Sequence, residues 1–170
     1  KRPKMLMGEE AQTNEGAAAA PLAAASQKLE HTYSTPVEHH HPMEPHATVA
    51  VWDGTDKLTL YDATQGVGLT GAIAAYFFGL QAENVRVIAP FVGGGFGSKG
   101  LWLHTLLVAM AAKTAGRPVK LALTRQMMQT NVGHRASTIQ RVALGTDAAG
   151  KLSVIRHHSD TYTSLTSFFE

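Results

Sequence analysis

"VRVIAPFVGGGFGSKGLWLHTLLVAMAAKTAG", residues 85–116, decides how this chain is read. A short β-branched run, Val85 to Ile88, leads into glycines at 93, 94, 95 and 97. Leu103, Leu106, Leu107 and Met110 then recur at helical spacing, and Gly116 with Pro118 stops the pattern. The order predicts strand, glycine loop, helix. Glycines leave backbone N–H groups bare, so such a loop presents donors to whatever faces it. A tight strand–helix turn is the plain alternative, but three consecutive glycines each cost about 0.5–1 kcal/mol of backbone entropy against alanine. A turn needs only one or two.

Working outward, "HATVAVWD" and "LTLYDAT" alternate around "GTDK", which predicts a hairpin over 46–63. Leu69, Ile73, Tyr76, Phe77 and Leu80 predict a helix with Gly79 as its stop. "PVKLALT" predicts a strand, and "STIQRVALGTDAAGKLSVIRHHSD" a second hairpin with Gly150 in its turn. Strand-like character begins at "QKLEHTYSTP". The fold class expected is α+β, a two-layer sandwich with a mixed sheet. Residues 1–26, alanine-rich and interrupted by Pro21, are expected to be a linker, with 27–170 forming one domain. Because the chain opens on Lys1 and closes on the strand-like "TSLTSFFE", it is expected to be a piece of something larger.

Composition removes several function classes. The 170 residues carry a net charge of +2, and the fifteen Lys and Arg are scattered, which argues against a nucleic-acid surface. Cysteine is absent, so this chain carries no disulfide, thiolate zinc site or iron–sulfur cluster. No apolar run reaches the roughly 18 residues of a membrane span. The compartment, cytoplasm or periplasm, is left open.

Nucleotide binding fails on detail. A Walker loop needs Lys followed by Ser or Thr, whereas Lys99 follows Ser98 and precedes Gly100. The dinucleotide fingerprint lacks its third glycine, since position 98 is serine. "EHHHPMEPH" holds Glu38, His39, His40, His41, Glu44 and His46, ample ligands for a metal. Yet neighbours in extended chain point to opposite faces and Pro42 and Pro45 break the geometry, so a structural role is expected. Arg125, His134 and Arg135 suit either a phosphate or partner contact, or internal ion pairs.

Four segments together resemble one family. "VGGGFGSK" resembles the "GGGFGGK" loop of the molybdenum-binding subunit of the xanthine dehydrogenase and aldehyde oxidase family. "HHPMEPHATVAVW" is similar to its H-x-x-x-E-P segment, and "DATQ" to its strand ending in Thr-Gln. "GRPVKLALTRQMMQTNVGHRAST" resembles its G-R-P-V…R…H-R stretch, and all four stand in the family's order. The resemblance is closest to bacterial aldehyde-oxidising members. It implies a partial molybdopterin-binding domain within a larger multidomain subunit. It also implies a molybdenum–pterin cofactor, in the cytosine dinucleotide form, near Gln65, Gly94, Gly95, Phe96 and Gly97. Gln65 would sit by the metal's oxo group, bare amides around Phe96 would reach cofactor oxygens, and the Phe96 ring would cover the substrate pocket. His40 and Glu44 would be structural.

The implied partners are the rest of the subunit, an iron–sulfur subunit, an FAD subunit and a small aldehyde or N-heterocycle. Oxygen would come from water. Purine-hydroxylating members carry an acidic residue where this chain has Gly100, so an aldehyde is favoured. The general base and further cofactor loops belong to later segments of the family's subunit, so the isolated piece is expected to be inactive. A non-catalytic assembly module is the alternative.

Overall fold

The structure, a computed structural model, describes residues 13–100 and 103–162, with the backbone at 5–6 and 9–10. The chain runs β1 (Met5–Leu6), β2 (Glu9–Glu10), α1 (Ala19–Ala24), β3 (Gln27–Thr35), β4 (Ala47–Asp53) and β5 (Lys57–Asp62). It continues α2 (Val67–Phe78), β6 (Val85–Ile88), α3 (Leu103–Ala115), β7 (Val119–Ala122), α4 (Arg125–Thr130), β8 (Thr138–Thr146) and β9 (Leu152–Thr161). Two compact units result. One combines the chain up to Pro36 with the stretch from Ser137; the other is built on Val37–Ala136. The segment 27–170, read from sequence as one domain, therefore contributes to both.

In the second unit the sheet order is β6-β5-β4-β7, with β5 and β6 parallel and the other pairs antiparallel. This is the mixed sheet of the expected α+β class. Alternation along β5 turns Leu58 and Leu60 inward, and Ala50 pairs with Leu60 across β4. Against them pack Ala74 of α2 and Leu106, Ala109 and Ala112 of α3. Trp52 is anchored at the edge of this core, its indole Nε1 donating to the Ala109 carbonyl at 2.8 Å. Gly79 stops α2 as predicted: at φ 66° its N–H reaches the carbonyls of Ala75 and Tyr76.

Helix α4 has no counterpart in the sequence reading. One and a half turns carry too few apolar positions to show a period, so burial of Met128 beside Leu123 and Val132 decides it. Its cap was legible: the Thr124 hydroxyl accepts from the Met127 N–H at 3.2 Å.

The first unit contains an antiparallel sheet of order β3-β8-β9. The second predicted hairpin is here, its turn held by Asp147 Oδ1 accepting from the N–H groups of Ala149 and Lys151, both at 2.9 Å. Where a linker was expected the chain forms α1. Pro21 falls in its first turn, where the missing N–H would have had no helical partner. A single large apolar residue suffices for docking: Leu22 packs on Ala143 and Val154. Gly145 lets the helix approach, since a Cβ there would stand 2.8 Å from Ala25 Cβ. "TSLTSFFE", residues 163–170, lies outside the described residues.

Candidate functional site

The glycine loop lies between β6 and α3 and winds through the left-handed region. Gly93, Gly94 and Gly97 have φ of 66°, 77° and 100°, and Phe96 joins them at 56°. A phenylalanine there is an uncommon conformation that its surroundings must hold in place. Several ties do so. Ser98 donates to the Gly95 carbonyl through its N–H at 2.9 Å and its hydroxyl at 2.8 Å. Gln65 Oε1 accepts from the N–H groups of Gly97 at 3.0 Å and Lys99 at 3.2 Å. The Gln65 N–H in turn donates to the Lys99 carbonyl at 2.7 Å.

The crowding that makes glycine obligatory comes from the protein's own side chains at two positions. A Cβ on Gly93 would lie 1.7 Å from Glu44 Oε2, and one on Gly95 would lie 2.2 Å from Gln65 Oε1. The sequence reading reserved the space at Gly95 for a ligand. Gln65 fills it instead, and the Gly97 amide, also read as facing outward, is spent on Gln65.

Behind the loop lies a polar layer that the sequence reading missed. Thr48, Thr70, Ser98, Lys99 and Thr105 are fully buried, and His46, Asp62, Thr64 and His104 nearly so. The signal was available for Asp62, which continues the inward alternation of Leu58 and Leu60. Its carboxyl takes the Thr48 hydroxyl, and burial raises its pKa against the pull of Thr48 and Lys99. His46 Nε2 lies 2.7 Å from the Ser98 carbonyl. A carbonyl only accepts, so Nε2 carries the proton, while Nδ1 has no partner among the described residues. Burial lowers the pKa of His46 and pushes His104 down to about 4, with the neighbouring His46 adding to the latter shift. Lys99 Nζ donates to the Val92 carbonyl. Burial lowers its pKa, Arg125 adding to the fall, while Glu44 and Asp62 oppose it.

The four segments singled out in the sequence converge on this loop. Arg125 forks across consecutive carbonyls, Nη1 to Pro42 at 2.5 Å and Nη2 to Met43 at 2.6 Å. Arg135 pairs with Glu38 at 3.9 Å and donates to the Phe96 carbonyl at 3.3 Å. Arg135 thus closes an internal ion pair, one of the uses weighed for it, whereas Arg125 holds backbone carbonyls. The histidine rings gather by contact, His39 standing 5.8 Å from His41 and 5.7 Å from His134. Among the described residues no group of three or more His, Asp or Glu takes a metal-holding arrangement. His40 lies beside Gly97, whose Cβ would be 3.5 Å from its Nε2. Glu44 is exposed, its carboxyl resting against Gly93.

What remains unengaged at the loop is a set of neutral donors, of which Gly95 is buried. Among the described residues the N–H groups of Gly94, Gly95 and Phe96 have no acceptor. Gln65 is exposed, and with two N–H groups converging on Oε1 its carboxamide has one orientation: the NH2 is the free end. The chemistry offered suits an oxygen-bearing, flat group approached by backbone. A concavity of about 530 Å³, lined by Glu30, Arg141, Arg156 and His158 among others, belongs to the first unit. Its charges are already paired, Arg156 with Glu30 at 3.2 Å and Arg141 with Asp160 at 2.6 Å.

Comparison with known proteins identifies the family. The profile of the molybdopterin cofactor-binding domain matches residues 2–167. The chain is 43% identical over 140 residues to the aldehyde oxidoreductase molybdenum-binding subunit PaoC of Escherichia coli K12, covering 81% of this chain and 19% of that protein. It is 34% identical over 136 residues to an indole-3-acetaldehyde oxidase of Zea mays, covering 79% and 10%. The aldehyde oxidoreductase of Desulfovibrio gigas superposes with a TM-score of 0.76 at 26% identity, over 84% of this chain and 16% of that one. Quinoline 2-oxidoreductase of Pseudomonas putida 86 does so at 0.73 and 28% identity, over 83% and 18%. The chain thus spans about a fifth or less of the length of these relatives. Taken with the four converging segments, the match over nearly its whole length means that this chain belongs to the molybdopterin cofactor-binding domain family.

Proposed function

We propose that this chain forms one wall of the molybdenum–pterin pocket of a hydroxylase that oxidises aldehydes, or N-heterocycles, with oxygen drawn from water. The part of the cofactor domain that bears the loop is the second unit, built on Val37–Ala136. The observation that carries this reading is the pair of free donors at Gly94 and Phe96 beside the exposed NH2 of Gln65. These groups would hold oxygens of the cofactor without adding charge, and Gly97 keeps Gln65 in its orientation. Phe96, 60% exposed, presents an apolar ring that screens the pocket from water. When bound, the metal and pterin supply the redox centre that accepts electrons from the substrate.

Gly100 leaves no carboxylate beside the loop, which favours an aldehyde over a purine. The names of the relatives, aldehyde oxidoreductase and indole-3-acetaldehyde oxidase, point the same way. The cofactor is proposed in its cytosine dinucleotide form. Since this chain has no cysteine, the iron–sulfur clusters, and FAD, are proposed to lie on partner subunits.

The test is metal analysis of the full-length polypeptide that carries this segment, purified with its partners. Molybdenum near one per polypeptide and a Mo(V) electron paramagnetic resonance signal are expected. Gly94→Val should lower molybdenum content roughly tenfold, the scale on which supporting groups act on metal affinity. Wild-type protein without molybdenum would overturn the proposal in favour of an assembly module. Undiminished metal in Gly94→Val would refute the role of the loop.

A further inference from the structure

We infer that Lys99 is a positioning residue: its buried side chain clasps the glycine loop shut and thereby sets the carboxamide of Gln65 toward the cofactor. This rests on the function proposed above. In a nucleotide-binding loop a lysine at this place would face outward to a phosphate. Here it is the largest side chain that is wholly buried among the described residues. Removing an amine from water is costly unless it is hydrogen-bonded and offset by charge. Both conditions are met: Nζ donates to the Val92 carbonyl at the entry of the loop, and the carboxylates of Glu44 and Asp62 act on it.

The backbone of the same residue holds the far end. Its N–H donates to Gln65 Oε1 at 3.2 Å and its carbonyl accepts from the Gln65 N–H at 2.7 Å. The Thr64 hydroxyl adds a third tie to that carbonyl at 3.3 Å. Lys99 consequently touches the start of the loop through its side chain and Gln65 through its main chain. Val92 lies seven residues earlier, so the clasp closes a ring around all the glycines of the loop. If Nζ lets go, the carbonyl of Val92 loses its partner and the loop can open. The movement is then transmitted to Oε1 of Gln65, because two of the hydrogen bonds that orient the carboxamide belong to this ring. Every donor and acceptor of the clasp belongs to this chain, so the protein itself can preorganise the site.

Hydrogen exchange and spectroscopy on the full-length protein test this together. In wild-type protein freed of metal, the amides of Gly97, Ser98 and Lys99 should exchange slowly. Lys99→Met should speed their exchange about tenfold, as loss of a charge-assisted hydrogen bond does. Lys113→Met, at an exposed helix position over Trp52, should leave it unchanged. Lys99→Gln, too short to reach Val92 but still polar, serves if the methionine variant does not fold. In the loaded enzyme the residual Mo(V) signal of the Lys99 variant should shift in the same sense as that of Gln65→Ala. A lysine that only supported the fold would lower metal content and leave that signal unaltered.

Fast exchange of these amides in wild-type protein, or a wild-type Mo(V) signal in the Lys99 variants, would overturn the inference. Absence of molybdenum from wild-type protein is a different failure. It would remove the proposed function and the cofactor-facing role of Gln65, while the exchange measurement would still decide whether Lys99 clasps the loop.

Discussion

Gln65 and Lys99 are joined in both directions, the N–H of Gln65 to the carbonyl of Lys99 at 2.7 Å and the N–H of Lys99 to Oε1 of Gln65 at 3.2 Å. This pairing resembles one rung of a ladder between two segments 34 residues apart, with a side-chain oxygen in place of one carbonyl. It ties the end of β5 to the end of the glycine loop. The Oε1 of Gln65 and the amides of Gly97 and Lys99 are thereby engaged within the protein, and the NH2 of the exposed Gln65 is left over.

Gly95→Ala tests the packing of that pair. The residue has an ordinary φ, so strain does not enter, and the added methyl meets Gln65 Oε1 at 2.2 Å. Overpacking of this kind costs roughly 1–3 kcal/mol, and the displaced carboxamide should release the Gly97 and Lys99 amides to faster exchange. The contrast is Gly68→Ala in α2, where nothing lies within 4 Å of the new methyl. Helix propensity should there raise stability by about 0.5–1 kcal/mol. Urea denaturation of the two variants reads both signs.

Acid should destabilise the second unit through its buried histidines. His104 has a folded pKa of about 4 against 6.5 unfolded, and His46 is lowered as well, burial being the main cause for each. Between these values the unfolded chain binds more protons than the folded one, so stability falls as pH drops from 6.5 toward 4. For His104 the loss is on the order of 3 kcal/mol at the foot of that window. Denaturation midpoints at pH 7, 5.5 and 4.5 would show it, and His104→Gln should flatten the slope.

Arg125→Lys should loosen the segment around Pro42. A guanidinium spans the carbonyls of Pro42 and Met43 at once, whereas an ammonium is a single point of charge. The exposed setting limits the cost to about 1 kcal/mol. The local readout is sharper: the amides of Met43 and Glu44 should exchange faster while those of α3 do not.

Leu22→Ala should detach α1 from the first unit. Leu22 is the large apolar side chain that the helix buries, against Ala143 and Val154. Deletion of such a side chain costs about 2–5 kcal/mol, more than a six-residue helix can supply alone. Limited proteolysis is expected to cut near residues 19–24 in the variant and spare the wild-type protein.

The amino-acid sequence alone placed the strands and the two longer helices of the second unit, though Leu69, Tyr76, Phe77, Leu103, Leu107 and Met110, which marked those helices, are exposed. It also supplied the stop at Gly79, the turn at Asp147 to Gly150, and the family motifs. Each of these is written in a window of five to fifteen residues, through hydrophobic period or turn chemistry. Tertiary structure alone decided the rest. That the early strand β3 and the late strands β8 and β9 make one unit could not be read, because β3 finds its partner β8 more than a hundred residues away. Helices α1 and α4 are too short to carry a period and exist through single buried side chains, Leu22 and Met128. The glycines of the loop were legible as a group, but which of them yields to Glu44, which to Gln65 and which to a left-handed turn depends on neighbours distant in sequence. The direction of Lys99 follows the same logic: an amine turns inward only where a carbonyl and carboxylates wait for it, and those are brought there by folding.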